Sequence, residues 1–211
     1  MIIGIAGFLG SGKGTLGDIL IQEHGFRSIA FADAVKDAVA AIFKWPRELL
    51  EGDSVASRYF REKVDPYWSE KFGYDVTPRY MLQLMGTEAG RDVFDSNLWV
   101  YVVEKTIMES PDSNFVITDL RFPNESTIIK RMGGHTIRVI RGPEPIWFET
   151  AAKDNLTNTN SMSILFPTVH RSEYSLCGYE FDHVIENNGT IEDLKNKLHG
   201  FFMQNLNKEF L

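Results

Sequence analysis

The chain has a single cysteine, Cys177, so it can form no internal disulfide and no cysteine-rich metal site. No apolar run approaches the roughly 18 residues that a membrane-spanning helix needs. The apolar start at residues 2–6 is far too short for a signal peptide. His135, His170 and His183 lack metal-ligand spacing. Basic charge is scarce: 22 Lys and Arg stand against 29 Asp and Glu, a formal net charge of −7. That balance argues against a general nucleic-acid binder and leaves room only for a local basic cleft. Internal repeats and strongly biased segments are lacking too. The expectation is one sizeable globular domain with lobes, in a reducing, cytoplasmic setting, without a membrane or nucleic-acid partner.

What is present is organised around residues 7–15, GFLGSGKGT. An apolar run precedes this stretch and an amphipathic segment follows it. Strand, glycine-rich loop and helix are the context in which G-x-x-x-x-G-K binds phosphate. Successive backbone N–H groups wrap the anion, and the helix N-terminus adds partial positive charge. Gly10, Gly12 and Gly14 keep side chains away from the phosphates, and Lys13 brings a point charge to the β/γ-phosphates. A hydroxyl directly after the lysine would ordinarily ligate Mg²⁺. Here Gly14 occupies that position and Thr15 follows one residue later.

Along the chain, strands are predicted at residues 2–6, 26–31, 115–118, 136–140 and 181–185. Helices are predicted from Leu16 to a stop at Gly25, from an Asp33 cap to Trp45-Pro46, over 79–90, 98–108 and 123–132, and from a Thr190–Asp193 capping box onward. Residues 46–97 read as a mostly helical insertion. Residues 142–180 lose periodicity and read as a long functional loop, a lid candidate. The core would then be 1–45, 98–141 and 181–211. Alternating strands and helices imply an α/β fold: a parallel sheet with helices on both faces and ligands at the C-terminal strand ends. In the last helix, the apolar Phe201, Phe202 and Leu206 suit either core or a homodimer contact.

The chemistry expected at that edge is phosphoryl transfer, which is mainly positioning and charge neutralisation. Asp119 ends a strand, where it could hold Mg²⁺ directly or through water. Arg79, Arg91, Arg121, Arg141 and Arg171 are the candidate phosphate clamps. Trp68, Tyr67, Phe72 and Tyr80 could stack on a base, and Gln83 carries the donor and acceptor that a base edge needs.

The GSGKGT loop resembles that of adenylate kinase and its nucleoside monophosphate kinase relatives. Further motifs narrow the resemblance: FADAVKDAVA at 31–40, TPRYMLQLMGTEAGR at 77–91, Trp99, VITDLRFPNE at 116–125, HRSE at 170–173 and FDHVIENNGTIEDL at 181–194. In this order they resemble the deoxynucleoside monophosphate kinases of bacteriophages, a branch of the P-loop kinases. The resemblance implies five parallel core strands, a helical monophosphate-binding insertion and a mobile lid. It implies transfer of the ATP γ-phosphate to a deoxynucleoside monophosphate with Mg²⁺, in the cytoplasm, that of the host cell if the chain is phage-encoded. Gly10, Ser11, Gly12, Lys13, Gly14 and Thr15 would hold ATP phosphates. Asp33 and Lys36 would face the acceptor, and Arg79, Gln83 and Arg91 would grip its phosphate or base. Asp119, Arg121 and Glu125 would surround the metal and the transferring group, with Arg171 closing from a lid that lacks adenylate kinase's dense arginines. The alternatives are another small-molecule kinase of adenylate or dephospho-coenzyme A type, a nucleic-acid 5′-end kinase, or an ATP-binding switch protein without turnover.

Overall fold

The computed structural model describes residues 1–206, with side chains through Asn205. Two compact units form: residues 1–29 with 109–206, and Ala30–Met108.

The first unit is built on a five-stranded sheet. Its strands are β1 (Ile2–Ala6), β2 (Arg27–Ser28), β3 (Phe115–Ile117), β4 (His135–Ile140) and β5 (His183–Glu186), in spatial order β2-β3-β1-β4-β5. Every pairing is parallel. β1 is central and buried throughout, as expected of a strand covered on both faces. It pairs with β3 on one side and β4 on the other, so the strand order switches at its C-terminal end, where such sheets bind ligands. β2 is shorter than the predicted 26–31. It is an exposed edge of two residues that pairs only with β3, while Phe26 turns into the core.

Helices α1 (Lys13–His24), α7 (Pro123–Arg131) and α11 (Ile191–Leu206) belong to this unit. Leu16, Ile19 and Leu20 of α1 join Leu194, Leu198, Phe201 and Phe202 of α11 in one core cluster with the sheet. Phe201 and Phe202 are thus core, which removes the dimer reading of that face; the Leu206 side chain lies outside the described residues. The predicted Thr190–Asp193 box is present. Asp193 accepts from the Thr190 N–H at 2.8 Å, and the Thr190 hydroxyl accepts from the Asp193 N–H at 3.2 Å.

Residues 142–180 are not the long loop their lost periodicity predicted. They form three short helices: α8 (Phe148–Thr157), α9 (Ser161–Leu165) and α10 (Arg171–Tyr174). The last two are too short to display a helical period. Side-chain ties hold them instead. Asp154 accepts from the Met162 N–H at 2.6 Å and the Thr159 hydroxyl at 2.7 Å, and Asn155 donates to the Tyr174 and Cys177 carbonyls. Ala151, Met162 and Cys177 are buried in a small core beneath them.

The second unit is helical: α2 (Ala32–Phe43), a 3₁₀ turn (Arg47–Leu50), α3 (Val55–Glu62), α4 (Pro66–Phe72), α5 (Pro78–Leu84), a π-helical segment (Met85–Phe94) and α6 (Leu98–Met108). It is wider than the expected 46–97, because α2 and α6 pack with the insertion. Val39 and Phe43 of α2 share a core with Trp45, Leu50, Val76 and Met81. Phe31, not Asp33, is the cap of α2; Asp33 sits in the first turn and accepts from the Ala30 N–H at 3.0 Å. The predicted helix at 79–90 changes register halfway, becoming π-helical from Met85.

Candidate phosphate-binding site

Because all five strands are parallel, the segments leaving β1, β3, β4 and β5 emerge on one edge of the sheet. β1 delivers the glycine loop. Gly10 (φ 80°) and Gly12 (φ 95°) adopt left-handed conformations that only glycine takes without strain. Gly12 is also the N-cap of α1. A Cβ on Gly10 or Gly14 would meet nothing within 4 Å, so this face of the loop is open, as a phosphate cradle must be. On the loop's inner side the Ser11 N–H donates to the Phe8 carbonyl at 3.1 Å. The Lys13 ammonium donates to the same carbonyl at 3.3 Å. Phe8 anchors the loop by packing edge-on against Trp147 and Phe148. Thr15 is exposed on the first turn of α1.

β3 delivers Asp119 and Arg121. Burial lowers the Lys13 pKa, and the neighbouring Arg121 lowers it further, while Glu173 and Asp119 pull it upward. Lys13, Asp119, Arg121 and Glu173 therefore share one electrostatic neighbourhood. The Arg121 side chain is 43% exposed, and the partial loss of water around its guanidinium, which lowers the pKa, is outweighed by Glu173, Asp119 and Glu125, which hold it above its ordinary value. Arg121 Nη1 lies 2.5 Å from Glu173 Oε1. Arg171, on the same short helix as Glu173, places its guanidinium over the Phe122 ring at 6.0 Å. The HRSE and DLRFPNE segments thus meet beside the glycine loop.

Glu125, expected around the metal, is only 2% exposed. Its Oε2 accepts from the Arg121 N–H at 2.7 Å and the Phe122 N–H at 2.9 Å, so it shapes the turn that carries Arg121. Arg141 leaves β4 exposed and lines a cavity of about 190 Å³ with Phe8, Leu9, Ser11, Arg138 and Glu144. Arg138, unassigned from sequence, pairs with Glu144 at 2.6 Å and lies over the Phe148 ring.

The remaining candidates lie in the helical unit. Lys36 pairs with Glu51 at 2.7 Å and with Asp33 at 3.4 Å, and Arg47 joins the same ionic network. Arg79 pairs with Glu62 and remains half exposed, with Gln83 half-buried one turn further along α5. Arg91 is 8% exposed, and its Nη1 donates to the Ser96 carbonyl at 3.1 Å. Trp68 is committed to the unit's own core: its indole N–H donates to the Phe43 carbonyl at 3.1 Å, and its ring meets that of Phe43 edge-on. Trp68 is partly buried, so its indole N–H and one edge of the ring serve the unit's own packing while part of the ring stays exposed.

Among the described residues no group of three or more His, Cys, Asp or Glu is arranged to hold a metal. Mg²⁺ does not require one, since one or two carboxylates plus substrate phosphates suffice, and Asp119 beside the loop fits that donor set.

A family model for deoxynucleotide monophosphate kinase matches residues 70–198. An Acanthamoeba polyphaga mimivirus protein assigned as a deoxynucleotide monophosphate kinase is 30% identical over 213 residues, 94% of each chain. This chain belongs to the deoxynucleotide monophosphate kinase family. The deoxynucleoside-5′-monophosphate kinase of Escherichia phage T5 is 42% identical over 55 residues, 26% of this chain and 22% of that one. A dephospho-CoA kinase from Campylobacter jejuni superposes over 96% of each chain with a TM-score of 0.47 at 13% identity. Family membership makes the enzyme a phosphotransferase with nucleotide substrates. Among the described residues no helix is long and apolar enough to cross a membrane.

Two residues of this edge escaped sequence reasoning. Glu173 lies in the HRSE motif and Asn187 in the ENNGT motif, but nothing in either residue type announces its long-range partner.

Proposed function

We propose that this enzyme transfers the γ-phosphate of ATP to a deoxynucleoside monophosphate, giving the diphosphate for DNA precursor synthesis in the cytoplasm. The observation that carries this reading is the convergence of Lys13, Asp119 and Arg121 beside an open glycine cradle at the switch point of the sheet.

The backbone N–H groups of Gly10 and of residues 12–15, with the α1 N-terminus, receive the ATP phosphates, while the Ser11 N–H stays on the Phe8 carbonyl. Lys13 exchanges the Phe8 carbonyl for the β/γ-phosphates. Lys13 is partly buried, which thins the water around its ammonium and strengthens its attraction for an anion. Arg121 neutralises charge on the transferring group, its backbone fixed by Glu125 and its guanidinium by Glu173. Arg171, stacked on Phe122, is the second cation of that clamp. Asp119 would hold Mg²⁺, whose charge would offset that of the phosphates. In the helical unit Lys36, Arg79 and Gln83 receive the acceptor, and the buried Arg91 orders the segment carrying the GTE motif. No protein base is needed, because the acceptor phosphate is already ionised.

Initial rates of acceptor-dependent ADP formation with Mg²⁺ and ATP, against a panel of ribo- and deoxyribonucleoside monophosphates, test this. Diphosphate formation from deoxynucleotides, abolished in Lys13→Ala, is expected. ATP binding without turnover for any acceptor would replace the reading with that of a switch protein.

A further inference from the structure

Asn187 sits where β5 ends, and its backbone N–H donates to the Ile140 carbonyl at 2.7 Å, which ties it to the end of β4. Its side chain is held as firmly. Nδ2 donates to the Ser11 carbonyl at 2.9 Å, a buried bond spanning 176 residues. The same nitrogen abuts the loop so closely that a Cβ on Gly12 would lie 2.1 Å from it. The amide orientation follows from chemistry, since a flipped carboxamide would set its oxygen against the Ser11 carbonyl oxygen, two acceptors. The next residue braces the other wall: Asn188 Oδ1 accepts from the Gly142 N–H at 2.9 Å, where the chain leaves β4.

The Ser11–Gly12 peptide is the vulnerable one in the loop. The Ser11 N–H is already used within the loop, on Phe8. The Gly12 N–H is one of the donors available to phosphate. A trans peptide is planar, so the Ser11 C=O and the Gly12 N–H point in opposite directions, and holding one aims the other. Glycine at position 12 makes rotation of this peptide cheap, so an unrestrained loop would turn a carbonyl toward the anion as readily as an N–H.

We propose that Asn187 is a positioning residue for the phosphate loop: by gripping the Ser11 carbonyl from behind, it aims the Gly12 N–H at the ATP phosphates. The inference rests on reading residues 7–15 as the ATP site. It assigns Asn187 an effect on ATP and none on the acceptor.

The test is calorimetric ATP binding to Asn187→Ala, Asn187→Asp and Lys13→Ala, with separate KM values for ATP and for the deoxynucleoside monophosphate and a thermal melt of each variant. Asn187→Ala should weaken ATP by about tenfold, the scale of one lost buried hydrogen bond, with the acceptor KM within about twofold of wild type. Asn187→Asp preserves shape but presents an acceptor to an acceptor, so it should weaken ATP at least as much; it decides the matter if the alanine variant does not fold. A purely structural asparagine would lower the melting temperature and leave ATP affinity in the folded variant unchanged, and that result overturns the proposal. If Lys13→Ala loses ATP while both Asn187 variants keep it, this inference alone fails. If Lys13→Ala also binds ATP normally, the loop assignment fails with it.

Discussion

Glu125→Ala separates two roles that sequence places on one residue. A metal-site carboxylate would be dispensable for folding. The carboxylate in the structure is 2% exposed, and one oxygen accepts two backbone N–H groups at 2.7 and 2.9 Å, in the first turn of α7. Hydrogen bonds to a charged acceptor contribute about 1.5–3 kcal/mol each. Two that share one oxygen are not additive, and water can reach the exposed Arg121, so the expected loss is about 3 kcal/mol. For a chain of this size that corresponds to a melting temperature about 6–12 °C lower. Glu125→Gln keeps an acceptor and loses the charge, so about half that drop is expected. Because the freed turn carries Arg121, kcat should fall in both variants even at temperatures where they are fully folded. Thermal unfolding followed by circular dichroism, with steady-state rates at 20 °C below each midpoint, measures both. An alanine variant that melts within about 2 °C of wild type would refute the capping account and return Glu125 to the metal.

Three further outcomes are expected. Arg79→Ala removes a half-exposed cation of the helical unit and should raise the acceptor KM while leaving ATP affinity unchanged; an unaltered acceptor response removes Arg79 from the site. Glu173→Gln breaks a half-exposed ion pair whose stability contribution is below about 1 kcal/mol, so the melt should barely move while kcat drops about tenfold as Arg121 loses its orientation; an unchanged kcat would show that Arg121 orients without it. Burial would raise the Asp182 pKa, but the Thr136 hydroxyl and N–H, with Lys130, hold it below the usual carboxylate value. Its folded pKa is therefore depressed, so its stabilisation is present above the unfolded value near pH ~3.9 and is lost as pH falls through the folded value. Asp182→Asn should accordingly destabilise at pH 7 and converge on wild type below that window; a penalty independent of pH in thermal melts would contradict the linkage.

The glycine loop was legible because its physics is local: a strand, three glycines, a lysine and a helix within 14 residues of one another. The inner strands β1, β3 and β4 were legible for the same reason, as apolar runs rich in β-branched residues, whereas the exposed two-residue β2 carries no such signal. The 142–180 region was not, since helices of five and four residues carry no period and are stabilised by Asp154 and Asn155 reaching across turns. The register change at Met85 was also hidden. There Gly90 makes room for Trp99, whose indole donates to the Gly86 carbonyl at 2.9 Å, and no residue pattern distinguishes that π-helical stretch from an α-helix.

The site divides along the same line. Groups that meet phosphate are recognisable because few residue types can do that work: glycine for approach, lysine and arginine for charge, aspartate for metal. Groups that aim them are ordinary polar residues whose role exists only through a distant partner. Glu173 is 52 residues from Arg121, and Asn187 is 176 from Ser11. Glu125 reads as a residue around the metal and the transferring group because it is an acid in the right motif, and the fold uses it to hold backbone. Trp68 reads as a stacking platform because it is aromatic, and the fold also packs it against Phe43. In each case the residue type is compatible with both roles, and for Glu125 burial decides between them. A carboxylate with 2% exposure has no free face to offer a ligand, whereas Lys13 must trade only one carbonyl contact to reach one.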